Sequence, residues 1–106
     1  MDDRMVTTGL AGLDTILSGL RMGDNVVWRV DDIDDYRALV APFAAAARVE
    51  GRRVVYLRFG RHAPLLDPGE VAVVHDLDAY RGFESFTVRL HTILADEGPG
   101  VFYVFD

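Results

Sequence analysis

Residues 23–40 read GDNVVWRVDDIDDYRALV. Val26, Val27, Trp28 and Val30 form a β-branched and aromatic run of the kind strands favour. From Asp34 to Val49 the chain turns alanine-rich and helical. The stretch therefore predicts a buried strand running into a helix. The turn between them holds Asp31, Asp32, Asp34 and Asp35, with neither glycine nor lysine. In many strand–helix units that turn is rich in glycine and seats phosphate. Here Asp34 or Asp35 can accept hydrogen bonds from the free N–H groups of the first helical turn, with the other acids solvated. The sharper alternative is that the acidic turn binds a cation or a basic partner segment.

The neighbouring segments extend the pattern. Upstream, residues 9–20 place Leu10, Leu13, Ile16, Leu17 and Leu20 at helical spacing, with Gly19 and Gly23 at the end. Pro42 lies inside the second helix and should kink or divide it, and Gly51 ends it. Residues 53–60 predict a second strand, 61–70 an irregular loop with two prolines and a glycine, and 71–75 a third strand. Residues 80–97 predict a helix with Phe83, Phe86, Val88, Leu90, Ile93 and Leu94 mostly on one side. After a Gly-Pro-Gly breaker, residues 101–105 predict a fourth strand, uninterruptedly apolar as a strand buried on both faces should be. Strands alternating with helices predict an α/β fold: a three-layer arrangement of a mostly parallel four-stranded sheet and flanking helices.

Composition limits what such a domain can do. The 106 residues suit one domain, and an apolar fraction of 50% marks it as globular. No apolar run is long enough to span a membrane. The start, Met1-Asp2-Asp3-Arg4, lacks the basic and apolar regions of an export signal, so a cytoplasmic protein is expected. Cysteine is absent, which excludes disulfides and thiolate metal sites. A net charge of −6 argues against a nucleic-acid surface. His62, His75 and His91 show no metal-ligand spacing, and no pair of groups has the spacing of an acid–base or nucleophilic site. Every basic side chain is arginine. The lysine that a phosphate-binding loop directs at the β- and γ-phosphates is therefore missing.

The opening TTGLAGLDTILSGLRMGDNVVWRV resembles that of RecA/KaiC-type ATPases. In that family a Thr-Gly-x-x-x-Leu-Asp-x-x-Leu-x-Gly-Gly/Leu segment precedes a Gly-x-x-x-x-hydrophobic strand. Thr8, Gly9, Leu13, Asp14, Leu17, Gly19, Leu20 and Gly23 occupy the matching positions. Strand 101–105 followed by Asp106 is similar to the Walker B strand. The resemblance spans nearly the whole chain and implies a truncated RecA-like sheet. The departures imply a pseudo-ATPase. Asp31, Asp32, Asp34 and Asp35 stand where the family has its phosphate loop, and carboxylates repel a phosphate chain. Gly60 and Arg61 stand where it usually has paired glutamates. Asp106 then has no phosphate-bound magnesium to hold, and no cofactor is expected.

The combination GDNVVWRVDDIDDY, VYLRFGRHAPLL and GFESF further resembles an amino-terminal domain attached to some bacterial phosphoenolpyruvate synthase or pyruvate phosphate dikinase-like proteins. None of the dikinase catalytic motifs lies in these residues, so no catalytic residue carries over.

Arg58, Arg61 and His62 gather at the carboxyl end of the second strand, the edge where open parallel sheets collect ligands. Their forks could grip a small anion, or pair with Asp67 or the acidic turn. RecA-like sheets place a further strand between the first strand and the Walker B strand. Its absence would leave open apolar edges, which invite pairing with another chain. The expectation is thus a single domain over 1–106, an amino-terminal fragment of a longer protein. It would be non-catalytic and assemble through sheet edges or the acidic turn with other domains of its parent or with itself. The alternatives are a degenerate nucleotide- or anion-binding sensor and an ATPase with an unusual loop.

Overall fold

The computed structural model describes residues 5–106. Residues 1–4, read above for an export signal, lie outside the described residues. The element order is β1 (Met5–Val6), α1 (Ala11–Ile16), β2 (Leu20–Arg21), α2 (Ile33–Val49), β3 (Val54–Arg58), a 3-10 turn (Pro68–Glu70), β4 (Val73–Asp76), α3 (Phe83–Glu97) and β5 (Phe102–Phe105). The result is a small α/β fold. A parallel three-stranded sheet runs in the order β4-β3-β5, and β1 and β2 form a separate antiparallel pair.

The central strand β3 carries Val54, Val55, Tyr56 and Leu57, all buried. Side chains alternate between the faces of a strand, so this apolar run needs cover on both. On one face Val54 and Tyr56 pack with Val104 of β5 and with Val40, Ala44 and Ala47 of α2. On the other, Val55 and Leu57 pack with Leu77 and with Ile93 of α3. The alanines let α2 lie close to the sheet, and Phe43 meets Phe102 edge-on with ring centroids 4.5 Å apart.

Two expectations need correction. The sheet has three strands, not four: residues 24–30 form no strand. Their burial nevertheless alternates with the strand period, Val26, Trp28 and Val30 half-buried between exposed Asn25, Val27 and Arg29. A strand requires a hydrogen-bonded neighbour, and none lies alongside. The second correction concerns Pro42. It neither divides nor ends α2, which runs unbroken over 17 residues. Proline removes the bond to the carbonyl four residues earlier, on Ala38, and Ala38 is exposed, so water can take its place.

The residues of the opening motif have a structural task. Asp14 accepts from the Thr7 and Thr8 hydroxyls and from the Thr8 N–H, which holds its carboxyl below the usual carboxylate range. Thr8 is fully buried in this knot. Gly9 follows at φ +83°, and a Cβ there would stand 2.3 Å from the Pro42 carbonyl oxygen. Only glycine permits both the left-handed backbone and that approach to α2.

Candidate functional site

Two features lie at the sheet's margins: a buried polar cluster at the carboxyl end of β3, and a cleft along the free edge of β5.

The cluster centres on Asp106, whose side chain is 1% exposed. Its position follows from the register. Asp106 continues β5 beside β3, its N–H bonded to the Leu57 carbonyl at 3.0 Å and its own carbonyl taking the N–H groups of Phe59 and Gly60 at 2.7 and 2.8 Å. That turns the carboxylate onto the Tyr56 hydroxyl, which donates to Oδ2. Arg58 Nε lies 3.5 Å from the same oxygen, and His62 Nε2 makes an ion-pair contact with Oδ1. Neither the His62 contact nor that of Arg58 Nε is a hydrogen bond, so Oδ1 and Arg58 Nε have no hydrogen-bond partner among the described residues. Arg58 also donates through Nη2 to the His62 carbonyl. A Cβ at Gly60 would meet His62 Nε2 at 2.8 Å, so a larger residue there would displace the His62 ring from Asp106.

Burial, reinforced by the bond to Asp106, pushes the Tyr56 phenol up to about 12. Tyr56 also accepts from the buried Leu65 N–H at 2.9 Å, so the phenol ties the loop after β3 to the sheet. The sign of the resulting pH dependence follows. An unfolded tyrosine ionises near 10, below the folded value. The stabilisation is intact below pH 10 and is lost as pH rises from there towards 12. Burial also raises Tyr36 and Tyr103, so tyrosinate absorbance should show several late-titrating phenols, the last of them absent in Tyr56→Phe, with unfolding setting in over the same window. Titration of all four tyrosines together near pH 10 without loss of structure would contradict this assignment.

The sequence-predicted residues are thus only partly brought together. Arg58 and His62 converge, and on a carboxylate, Asp106, rather than on Asp67 or the acidic turn. Arg61 is elsewhere, its guanidinium stacked on Tyr80 at 4.1 Å from the ring centroid. At the acidic turn the N-cap is Asp32, not Asp34 or Asp35. Its carboxylate accepts from the Asp34 N–H at 2.8 Å, because the helix begins at Ile33 and the cap must precede it. Asp34 pairs with Arg37 at 2.7 Å one turn on. All four acids are exposed, and the described residues contain no group of acids and histidines placed to hold a metal ion.

The cleft has a volume of about 780 Å³. One wall is β5 with Val101; the facing wall is residues 22–28, and Tyr36, Val40 and Phe43 of α2 form the floor. β5 is an edge of its sheet. Phe102 and Asp106 direct their N–H groups to β3, so by strand alternation Tyr103 and Phe105 direct theirs into the cleft. The Phe105 carbonyl accepts from the Tyr36 hydroxyl at 2.9 Å. Arg52 also lines the cleft, its side chain 9% exposed and its charge centre 5.7 Å from the Phe102 ring. Its Nε lies 3.4 Å from a Glu50 oxygen, yet neither Nε nor Nη2 has a hydrogen-bond partner among the described residues.

Sequence reasoning missed Tyr36 and Arg52. The signal for Arg52 was an arginine two residues ahead of the apolar run Val54–Leu57, where a long side chain can lie along the sheet. Compared with known proteins, the chain matches no family model, no curated protein and no solved structure.

Proposed function

We propose that the chain is a non-catalytic interaction domain that accepts an extended segment of a partner polypeptide as an added strand on the free edge of β5. The observation that carries this reading is the cleft itself: an edge strand and residues 22–28 line the same largely apolar gap. A strand residue occupies roughly 160 Å³, the product of about 3.3 Å of rise, 4.8 Å of strand spacing and 10 Å of sheet spacing. The gap therefore takes about five residues. An inserted segment would bond to Tyr103 and Phe105 on one side and give residues 24–28 the neighbour they lack on the other. The Phe105 carbonyl keeps a second lone pair for it beside the Tyr36 bond. Backbone bonds of this kind supply affinity in strand addition, and pockets for alternate side chains supply selectivity.

A second copy of the chain fits the gap poorly. Its β5 is already backed by β3, so a copy would bring a three-stranded sheet to a gap with room for about five residues. The occupant is a segment with both edges free. The wider reading places this domain as a RecA/KaiC-like pseudo-ATPase in a phosphoenolpyruvate synthase-like parent. It is supported by the Thr8–Asp14 motif and by the four acids at the start of α2. The engagement of Arg58 and His62 by Asp106 favours interaction over an anion sensor.

Amide hydrogen exchange tests the strand reading. In the free protein Phe102 and Asp106 should exchange slowly, and Tyr103 and Phe105 rapidly. Peptides selected from a displayed random library should slow Tyr103 and Phe105, and N-methylation of the peptide backbone should abolish binding. Bound peptides that leave both amides exchanging as before would rule the edge out.

A further inference from the structure

We infer that Arg52 reads a carboxylate on the incoming segment, so that the partner strand is apolar with one aspartate or glutamate at the position that reaches the start of β5. This rests on the strand-acceptor reading of the cleft. Arg52 sits beside Phe102, the first residue of β5, while Tyr103 and Phe105 present their backbone further along. The cleft lining is otherwise chiefly apolar there: Val101, Phe102, Leu94 and Phe43. A buried guanidinium with two nitrogens unbonded among the described residues is costly, because desolvation is uncompensated. Glu50 offsets part of that cost from one side only, and its own carboxylate also accepts from the Thr7 N–H. A carboxylate arriving on the strand would complete the guanidinium's bonding in a water-poor setting, where charge-assisted bonds are strongest. A neutral or basic residue at the same place would leave it unpaired or repel it. Two arginines line the cleft, and Arg21 is exposed to solvent, so Arg52 is the buried cation that fixes the register of the added strand.

The displayed library, panned against the full chain and against Arg52→Glu and Arg52→Met, decides the matter, with circular dichroism verifying that each variant is folded. The unsubstituted protein should enrich apolar peptides with one acid at a fixed offset. Changing that acid to its amide should weaken binding about tenfold or more. Arg52→Glu should enrich lysine or arginine instead, and Arg52→Met should bind acid and amide peptides equally. If peptides protect Tyr103 and Phe105 but show no acid preference, or keep it in Arg52→Met, the role of Arg52 is refuted and the strand reading stands. If no peptide protects those amides, or the chain protects them by self-association without any peptide, the strand reading fails and this inference with it.

Discussion

Leu57→Ala should lower the unfolding free energy by about 3–5 kcal/mol. Leu57 is fully buried in the central strand, held in register between His75 of β4 and Phe105 of β5. The core on that face has few buried members: Val55, Leu57, Leu77 and Ile93, flanked by Phe59, Phe86, Leu90 and Tyr103. Removing three heavy atoms there forfeits their transfer energy and opens a cavity. Strands on both sides fix the backbone, so the walls can close in only from α3, and little collapse is available. Domains of this size have roughly 5–15 kcal/mol in total, so the variant should be near the limit of folding. Urea unfolding with an unchanged slope and a lower midpoint would show it. A loss below about 1 kcal/mol would mean that α3 is not docked on β3 as described.

The same strand shows how far the sequence could be read. The β3 run and α2 are legible because each apolar pattern matches the burial it meets, Val54–Leu57 on two faces and Val40, Phe43, Ala44 and Ala47 on one; α3 and β5 are legible as elements but not in their burial, since Phe83, Val88 and Phe105 are exposed. The strand expected over Val26–Val30 failed for a reason no local pattern contains. Its residues have the alternation of a strand, but pairing depends on a neighbour, and across the cleft there is a gap. The N-cap shifted from Asp34 or Asp35 to Asp32 because four acids in five positions offer several equivalent caps, and only the start at Ile33 selects one. The partner of Arg58 and His62 was hidden by distance along the chain. Asp67 and the acidic turn are closer to Arg58 in sequence, whereas Asp106 reaches it through the β3–β5 register.

That register makes Asp106→Ala the second large effect, a loss of about 3 kcal/mol or more. The carboxylate accepts the Tyr56 hydroxyl and lies in ion-pair contact with Arg58 and His62. Taking it away leaves the Tyr56 phenol without its acceptor and the Arg58 guanidinium, 18% exposed, without its countercharge, and removing one partner of a largely buried pair costs more than the pair itself contributes. Relief is uneven. His62 is 29% exposed and can turn to solvent, while Tyr56 is held in place by Leu65 and has nowhere to go. Tyr56→Phe should therefore cost about 1–2 kcal/mol, for it removes one donor to Asp106 and orphans the buried Leu65 N–H. Asp106→Asn keeps the volume and one carbonyl oxygen, and should fall between Asp106→Ala and the parent. A double-mutant cycle between Asp106→Ala and Tyr56→Phe should give a coupling of about 1 kcal/mol, since the two share one bond. Additive losses, or an Asp106→Ala variant as stable as the parent, would show that the carboxylate does not organise the loop after β3. The cluster would then be a bystander rather than the clamp that holds β3 and β5 together at the end of the cleft.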